Sequence, residues 1–239
     1  MHCRGSIRIL VAILILIGTI NIAYGQSKQA SAIENQVLNR ELGIGRIREQ
    51  GISNLFSSIA LRFNIPIGVE VAANDDLMAW YQVEFRGETL IDFLVKFSSD
   101  HKRYSWQVQD GVINIFPTSD HDPVIAELLE TKITGFSITA NTDSFAFANS
   151  LMSTPEVNAI MTYYRLKPAD LNFSGVYFPQ LGRNFTKRFD HDAMRSILNT
   201  VVRESSIARA WTIKRLSDQR LFIRVDANAE PDERSSKAP

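Results

Sequence analysis

The chain of 239 residues is 45% apolar and 22% charged, ordinary values for a globular protein, which exclude a disordered polypeptide and a membrane-embedded helical bundle. Its 26 basic and 26 acidic residues balance, so no basic field for nucleic acid is present.

Residues 1–25 read as a secretory signal peptide. Arg4 and Arg8 form a basic head, Ile9 to Ile20 is an apolar run, and Ala23-Tyr24-Gly25 ends in small residues that suit cleavage before Gln26. Retention as an N-terminal anchor is the alternative, since the apolar run approaches the length of a marginal span. Cleavage removes two arginines and leaves 24 basic against 26 acidic residues, with no stable membrane span. It also removes Cys3, the single cysteine. The remaining chain then has no disulfide, thiolate metal site or cysteine nucleophile.

Residues 26–43 are expected to be a leader arm. A first module is expected over 44–117. It opens with a short strand at Ile44-Gly45-Arg46-Ile47-Arg48, and Gly51 breaks it. Ile52, Leu55, Phe56, Ile59, Ala60 and Phe63 then mark one face of a helix. Asn64 and Pro66 end that helix, and Ile67, Val69 and Val71 alternate as a strand, as do the residues of Tyr81 to Phe85. Thr89 is an N-cap with Asp92 three residues on, and Leu90, Phe93, Leu94 and Phe97 make the stripe of a second helix. Tyr104, Trp106 and Val108 alternate, Asp110-Gly111 supplies a turn, and Val112, Ile113 and Ile115 start a return strand.

Residues 118–132 are expected as a linker with a short helix at Val124 to Leu129. A second module is expected over 133–225. Ile133 to Ile138 reads as a strand, Asp143 through Met152 as a helix, and Thr154-Pro155-Glu156 as the start of an inserted helix carrying Val157, Ile160, Met161 and Tyr164. The insert as a whole spans about 154–184. Leu171 to Pro179 and Phe185 to Phe189 read as strands. Met194, Ile197, Leu198 and Val201 form a helix stripe, and Trp211 and Ile213 precede the turn at Ser217-Asp218. Residues 226–239 are expected to be a disordered tail. The fold class is thus α+β, two tandem βαββαβ-type modules, with the second repeating the first.

Phe85, Gly87, Thr89, Leu90, Phe93 and Leu94, followed by Tyr104, Gly111, Val112 and Ile113, carry a resemblance to the short N-terminal domain shared by secretins and TonB-dependent outer-membrane receptors. Ile59, Ala60 and Leu61 stand where that family has its first L-x-x-A-L helix. Phe136, Ile138, Phe189, Met194, Ile197, Leu198, Trp211 and Ile223 match in the second copy, which lacks the glycine before its helix and carries the insert. The resemblance implies a non-enzymatic periplasmic module that docks to other envelope proteins, with a second copy of the same chain as a further candidate partner. After Val225 only a polar stretch follows, so an adaptor rather than a gate is expected.

No G-x-S-x-G, H-E-x-x-H, P-loop or G-x-G-x-x-G occurs. His191 lies between Asp190 and Asp192, the arrangement of an acid-flanked base, yet the same aspartates are good helix caps. His101 falls at a helix end and His121 in the linker, with no ligand spacing among the three. Neither a cofactor, a metal nor a catalytic residue is expected. Aromatic residues concentrate in the insert, where Tyr163, Tyr177 and Phe178 are the candidate surface for a glycan or peptide, and the alternative is that such rings fill the second core. A small hydrolase requires His191 to meet a serine or a second acid in a cleft. The candidate docking strand is the open edge at Val112, Ile113, Asn114, Ile115 and Phe116, with Leu221 to Val225 as its counterpart in the second module.

Overall fold

The computed structural model describes residues 35–73, 75, 78–169 and 178–228. The signal peptide, Tyr177 and the body of the 171–179 strand lie outside them. In chain order the elements are β1 (Gly45–Gln50), α1 (Ile52–Phe63), β2 (Ile67–Glu70), β3 (Trp80–Phe85), α2 (Leu90–Asp100), β4 (Tyr104–Gln109), β5 (Val112–Pro117) and α3 (Pro123–Glu130). The second half comprises β6 (Lys132–Ile133), β7 (Phe136–Ile138), α4 (Ser144–Met152), α5 (Pro155–Tyr163), β8 (Lys167–Pro168), β9 (Lys187–Phe189), β10 (Asp192–Ala193), α6 (Met194–Glu204), β11 (Ala208–Arg215) and β12 (Arg220–Ala227). The class is α+β.

The expected duplication is present strand by strand. β1 pairs antiparallel with β3, and β7 with β9. The remaining strands of the first half run in the order β4-β5-β2, those of the second in the order β11-β12-β8. Even the small bridge ahead of the second helix recurs: Glu41 pairs with Thr89 in one half, and β6 with β10 in the other. Trp106 stands opposite Ile115 and Trp211 opposite Val225. A bulge between Ala208 and Ala210 brings Trp211 into that place, because the extra residue flips the alternation of the strand.

The two halves are not separate beads. β2 pairs in parallel with β11, from Ile67 opposite Ala210 to Glu70 opposite Ile213, and so fuses them into one six-stranded sheet, β4-β5-β2-β11-β12-β8. Each face of this sheet has its own core. Ile67, Val69, Ile113, Ile115 and Ala210 face α1 and α2, whereas Val112, Trp211, Ile213, Leu221, Ile223 and Val225 face the helices of the second half. Helices on opposite faces would ordinarily speak against a repeat. Strand direction resolves this: β5 and β2 run one way with β4 against them, while β12 and β8 run opposite to β11, which itself runs with β2. A half-turn about the line across the strands keeps the order, reverses the directions and exchanges the faces. Each module therefore keeps its helices on the same side of its own strands.

Four boundaries differ from expectation. Within the leader arm, Leu42 is buried and Val37 and Leu38 pack on the first core. The linker is core: Val124, Ile125, Leu128 and Leu129 of α3 are buried against the second half, with the Asp122 side chain capping the helix at Val124 N–H. The tail begins later, since Asp226 and Ala227 pair with Ala210 and Ala208. β1 spans Gly45–Gln50 where 44–48 was expected, and the stripe of the inserted helix α5 contributes Val157 and Met161 to the second core.

Candidate functional site

The expected docking strand is not an edge. β5 lies between β4 and β2; Ile113 N–H donates to Pro66 O at 3.1 Å, and Asn114 is fully buried, its Nδ2 donating to Val112 O. Val112 through Phe116 therefore have a strand on both sides, which removes them as a docking edge, and the Asn114 amide faces β4. The counterpart, Leu221 to Val225, pairs with β11 along its whole length and meets β8 at Leu221. Each return strand is internal within its own half, β5 between β4 and β2 and β12 between β11 and β8.

Within the six-stranded sheet, among the described residues, the long free edge belongs to β4. Thr118 N–H donates to Arg103 O at 2.8 Å, so the backbone groups of Ser105, Gln107 and Gln109 turn inward to β5 and those of Trp106 and Val108 turn outward. The strand, Tyr-Ser-Trp-Gln-Val-Gln, carries neither charge nor proline, the usual guards of an exposed edge.

A second opening lies between β3 and α2. It is a groove of about 600 Å³. Val83, Phe93 and Phe97 supply its apolar lining, and Gln82, Lys96 and His101 stand among its polar groups. Glu84 and Arg86 also border it. Glu84 bonds Arg46, which holds its carboxyl below the usual carboxylate range. His101 makes tilted ring contacts with Phe97 at 4.6 Å between ring centres and with Tyr81 at 5.4 Å; it is the C-cap of α2, as its sequence position predicts. Among the described residues β3 pairs with β1 alone.

Among the described residues the candidate aromatic rings do not assemble into one platform, and Tyr177 lies outside them. Tyr163 is exposed and packs edge-on against Tyr164, whose hydroxyl donates to Glu127 at 2.8 Å. Phe178 is half-buried and stacks on Phe145. No ring contact joins the two pairs among the described residues.

His191 occupies an exposed turn at φ 67°. Asp190 pairs with Arg188 there, and Asp192 belongs to β10 opposite Ile133. Neither aspartate caps α6: the cap residue is Ala193, without a side-chain bond. No group of His, Cys, Asp or Glu able to hold a metal occurs among the described residues, and no helix among them is long and apolar enough to cross a membrane.

The seam between the halves holds the densest buried chemistry. Trp211 is fully buried and donates from Nε1 to Asn199 Oδ1 at 2.8 Å. Its ring lies on Gly68, where a Cβ would come within 2.2 Å of the indole, so only glycine fits. On the same face Arg195 of α6 forms an ion pair with Glu70 of β2, both side chains 10% exposed, and reaches Glu130 at 3.3 Å. Further bonds cross the seam from Arg224 to Asn54 and from Arg203 to Asp110 O. These residues act on architecture, and their pairing is long-range, so no motif marked them.

No family model, curated protein or solved structure matches the chain.

Proposed function

We propose that this is a non-enzymatic protein-interaction or assembly protein of the cell envelope, a fused pair of modules resembling the short N-terminal domains of secretins and TonB-dependent receptors. The observation that carries the reading is the groove between β3 and α2. It sets an apolar floor beside a strand with one neighbour among the described residues, the geometry in which an extended segment of another protein adds to a sheet while its alternate side chains enter pockets. The docking surface thus moves from the return strand to this groove. Export rests on the arginine-flanked apolar run ending at Gly25.

A photo-crosslinking residue placed at Gln82 or Lys96 in exporting cells is the test. Adducts with an envelope protein are expected from both positions and not from exposed Asn158 on α5. Equal labelling at all three, or none, overturns the groove. Sequencing the exported N-terminus, expected to start at Gln26, checks the compartment separately. The glycan reading gains no observation among the described residues.

A further inference from the structure

We propose that the β4 edge is a self-association surface, through which two copies of this chain join their six-stranded sheets by antiparallel pairing of β4 with β4. This stands apart from the groove and does not depend on it.

Two observations carry the inference. The first is the chain's own construction. Trp106 and Val108 occupy the same places in the first hairpin as Trp211 and Ile213 in the second, opposite Ile115 and Ile113 in one and Val225 and Ile223 in the other. β4 is thus the structural counterpart of β11. In the second module that edge is occupied, because β11 pairs along it with β2. The corresponding edge of the first module is free among the described residues, and its outward rungs, Trp106 and Val108, are only half-buried. The molecule therefore already carries a strand, in parallel pairing, on the counterpart of this edge.

The second observation selects the occupant. β4 itself is uncharged, but exposed Lys102 precedes it and exposed Asp110 follows it, while Arg103 is paired within the chain to Asp75 and Asp120. Antiparallel pairing of two copies lays the basic end of each strand beside the acidic end of the other, whereas parallel self-pairing sets like charges together. The backbone parity narrows the register. Outward groups must meet outward groups, and Tyr104 N–H is already bound to His101 O at 2.9 Å. Centring the two-fold axis on Gln107 uses every remaining rung: Trp106 opposes Val108 of the other copy, and the reverse, with each exchanging both backbone bonds. The interface is isologous, so it closes at two copies.

The register gives a sharp experiment on the full chain in a Cys3→Ser background. Gln107 would face Gln107 of the other copy at a pair that exchanges no backbone bonds, where Cα atoms approach to about 4.5 Å, within disulfide reach. Gln107→Cys is expected to oxidise to a disulfide dimer, while Ser105→Cys, which would face Gln109 of the other copy, is not. Sedimentation should show a concentration-dependent dimer of the Cys3→Ser chain, shifted at least tenfold toward monomer by Val108→Lys, which plants a charge on the edge and leaves the inward ladder untouched. Circular dichroism verifies that the variant is folded. A monomer at all concentrations, or a dimer in which Gln107→Cys and Ser105→Cys crosslink alike, overturns the proposal. Crosslinking of Gln107→Cys only to a foreign chain also overturns it, in favour of a different occupant of the same edge.

Discussion

The two halves share one plan, yet the same position is exposed to different demands in each. Trp106 and Trp211 hold matching places in their hairpins. The first is half-buried on an outer strand, and the second is fully buried between β2 and β12, hydrogen-bonded, with a glycine beneath it. The difference comes from neighbours, since β4 has a strand on one side and β11 on both. Duplication thus yields two similar folding units, and fusion turns an edge strand of one unit into an internal strand of the whole sheet. What distinguishes the halves is less their internal packing than which edge of each has been used.

The largest expected effect tests that contrast at its centre. Trp211→Ala should cost about 3–5 kcal/mol, from lost burial and a cavity, and it also leaves the Asn199 side chain without its donor. Trp106→Ala should cost about 1–2 kcal/mol, because a half-exposed ring loses less transfer energy. Urea unfolding of both variants gives the comparison, with the midpoint shift read at constant slope. Gly68→Ala overpacks the same contact and should cost about 1–3 kcal/mol. In a Trp211→Ala background that penalty should largely disappear, because the clashing ring is gone. Equal costs at Trp106 and Trp211 would show that the seam is no tighter than the edge.

Much of this architecture was legible in the sequence. The helix stripes of α1, α2 and α6 and the Asp110-Gly111 turn depend on spacing within some ten residues, and these appear where the periodicity places them. A Trp-bearing strand stands before the turn in both halves, although the bulge that sets Trp211 opposite Val225 leaves no mark in composition. The joining of the halves was not legible, because which strand lies beside which is decided by contacts far apart in the chain. One signal was available: Gly68 stands between Ile67 and Val69 inside a strand, a common sign of close approach by another group. The docking strand was misplaced for the same reason. An apolar run without charges describes a strand buried on both sides as well as it describes an undefended edge.

A middle-sized effect uses a residue that the second half lacks. Tyr104 and Ala208 open equivalent strands, opposite Pro117 and Ala227. The Tyr104 hydroxyl oxygen accepts Ala72 N–H at 3.1 Å. Burial pushes its phenol above the ordinary tyrosine range, with the Ala72 bond acting the other way. A raised folded-state value means that the folded chain keeps a proton that the unfolded chain loses. Stability is therefore intact below pH of about 10, the unfolded tyrosine value, and falls as pH rises beyond it, by at most about 1.4 kcal/mol per pH unit. Tyr104→Phe should cost about 1 kcal/mol at neutral pH through the lost hydrogen bond. It should also flatten the alkaline decline, measured as thermal midpoints from pH 8 to 11. An unchanged decline in the variant would assign the alkaline loss elsewhere in the molecule.

The last effect concerns one backbone angle that the duplication has preserved while changing its residue. Gly87 and His191 both sit two residues after the closing phenylalanine of the strand, Phe85 or Phe189, and both lie three residues before the helix stripe. Their φ values are 88° and 67°, so the same left-handed turn leads into α2 and α6. In the first half the turn is made by the one residue that adopts it without steric cost. In the second it is made by a histidine, whose Cβ meets the carbonyl strain of that region. A Cβ added at Gly87 would find no atom within 4 Å, so Gly87→Ala should register backbone strain alone, about 1–2 kcal/mol of destabilisation. His191→Gly should move the other way, by about 0.5–1 kcal/mol. The relief of strain there is partly offset by the greater freedom that glycine gives the unfolded chain. Opposite signs in urea unfolding at these two sites would establish that the turn, and not its residue, is what the two modules have in common. If His191→Gly instead destabilises, the imidazole makes a contact that the first module has no counterpart for, and the two turns are equivalent in angle only.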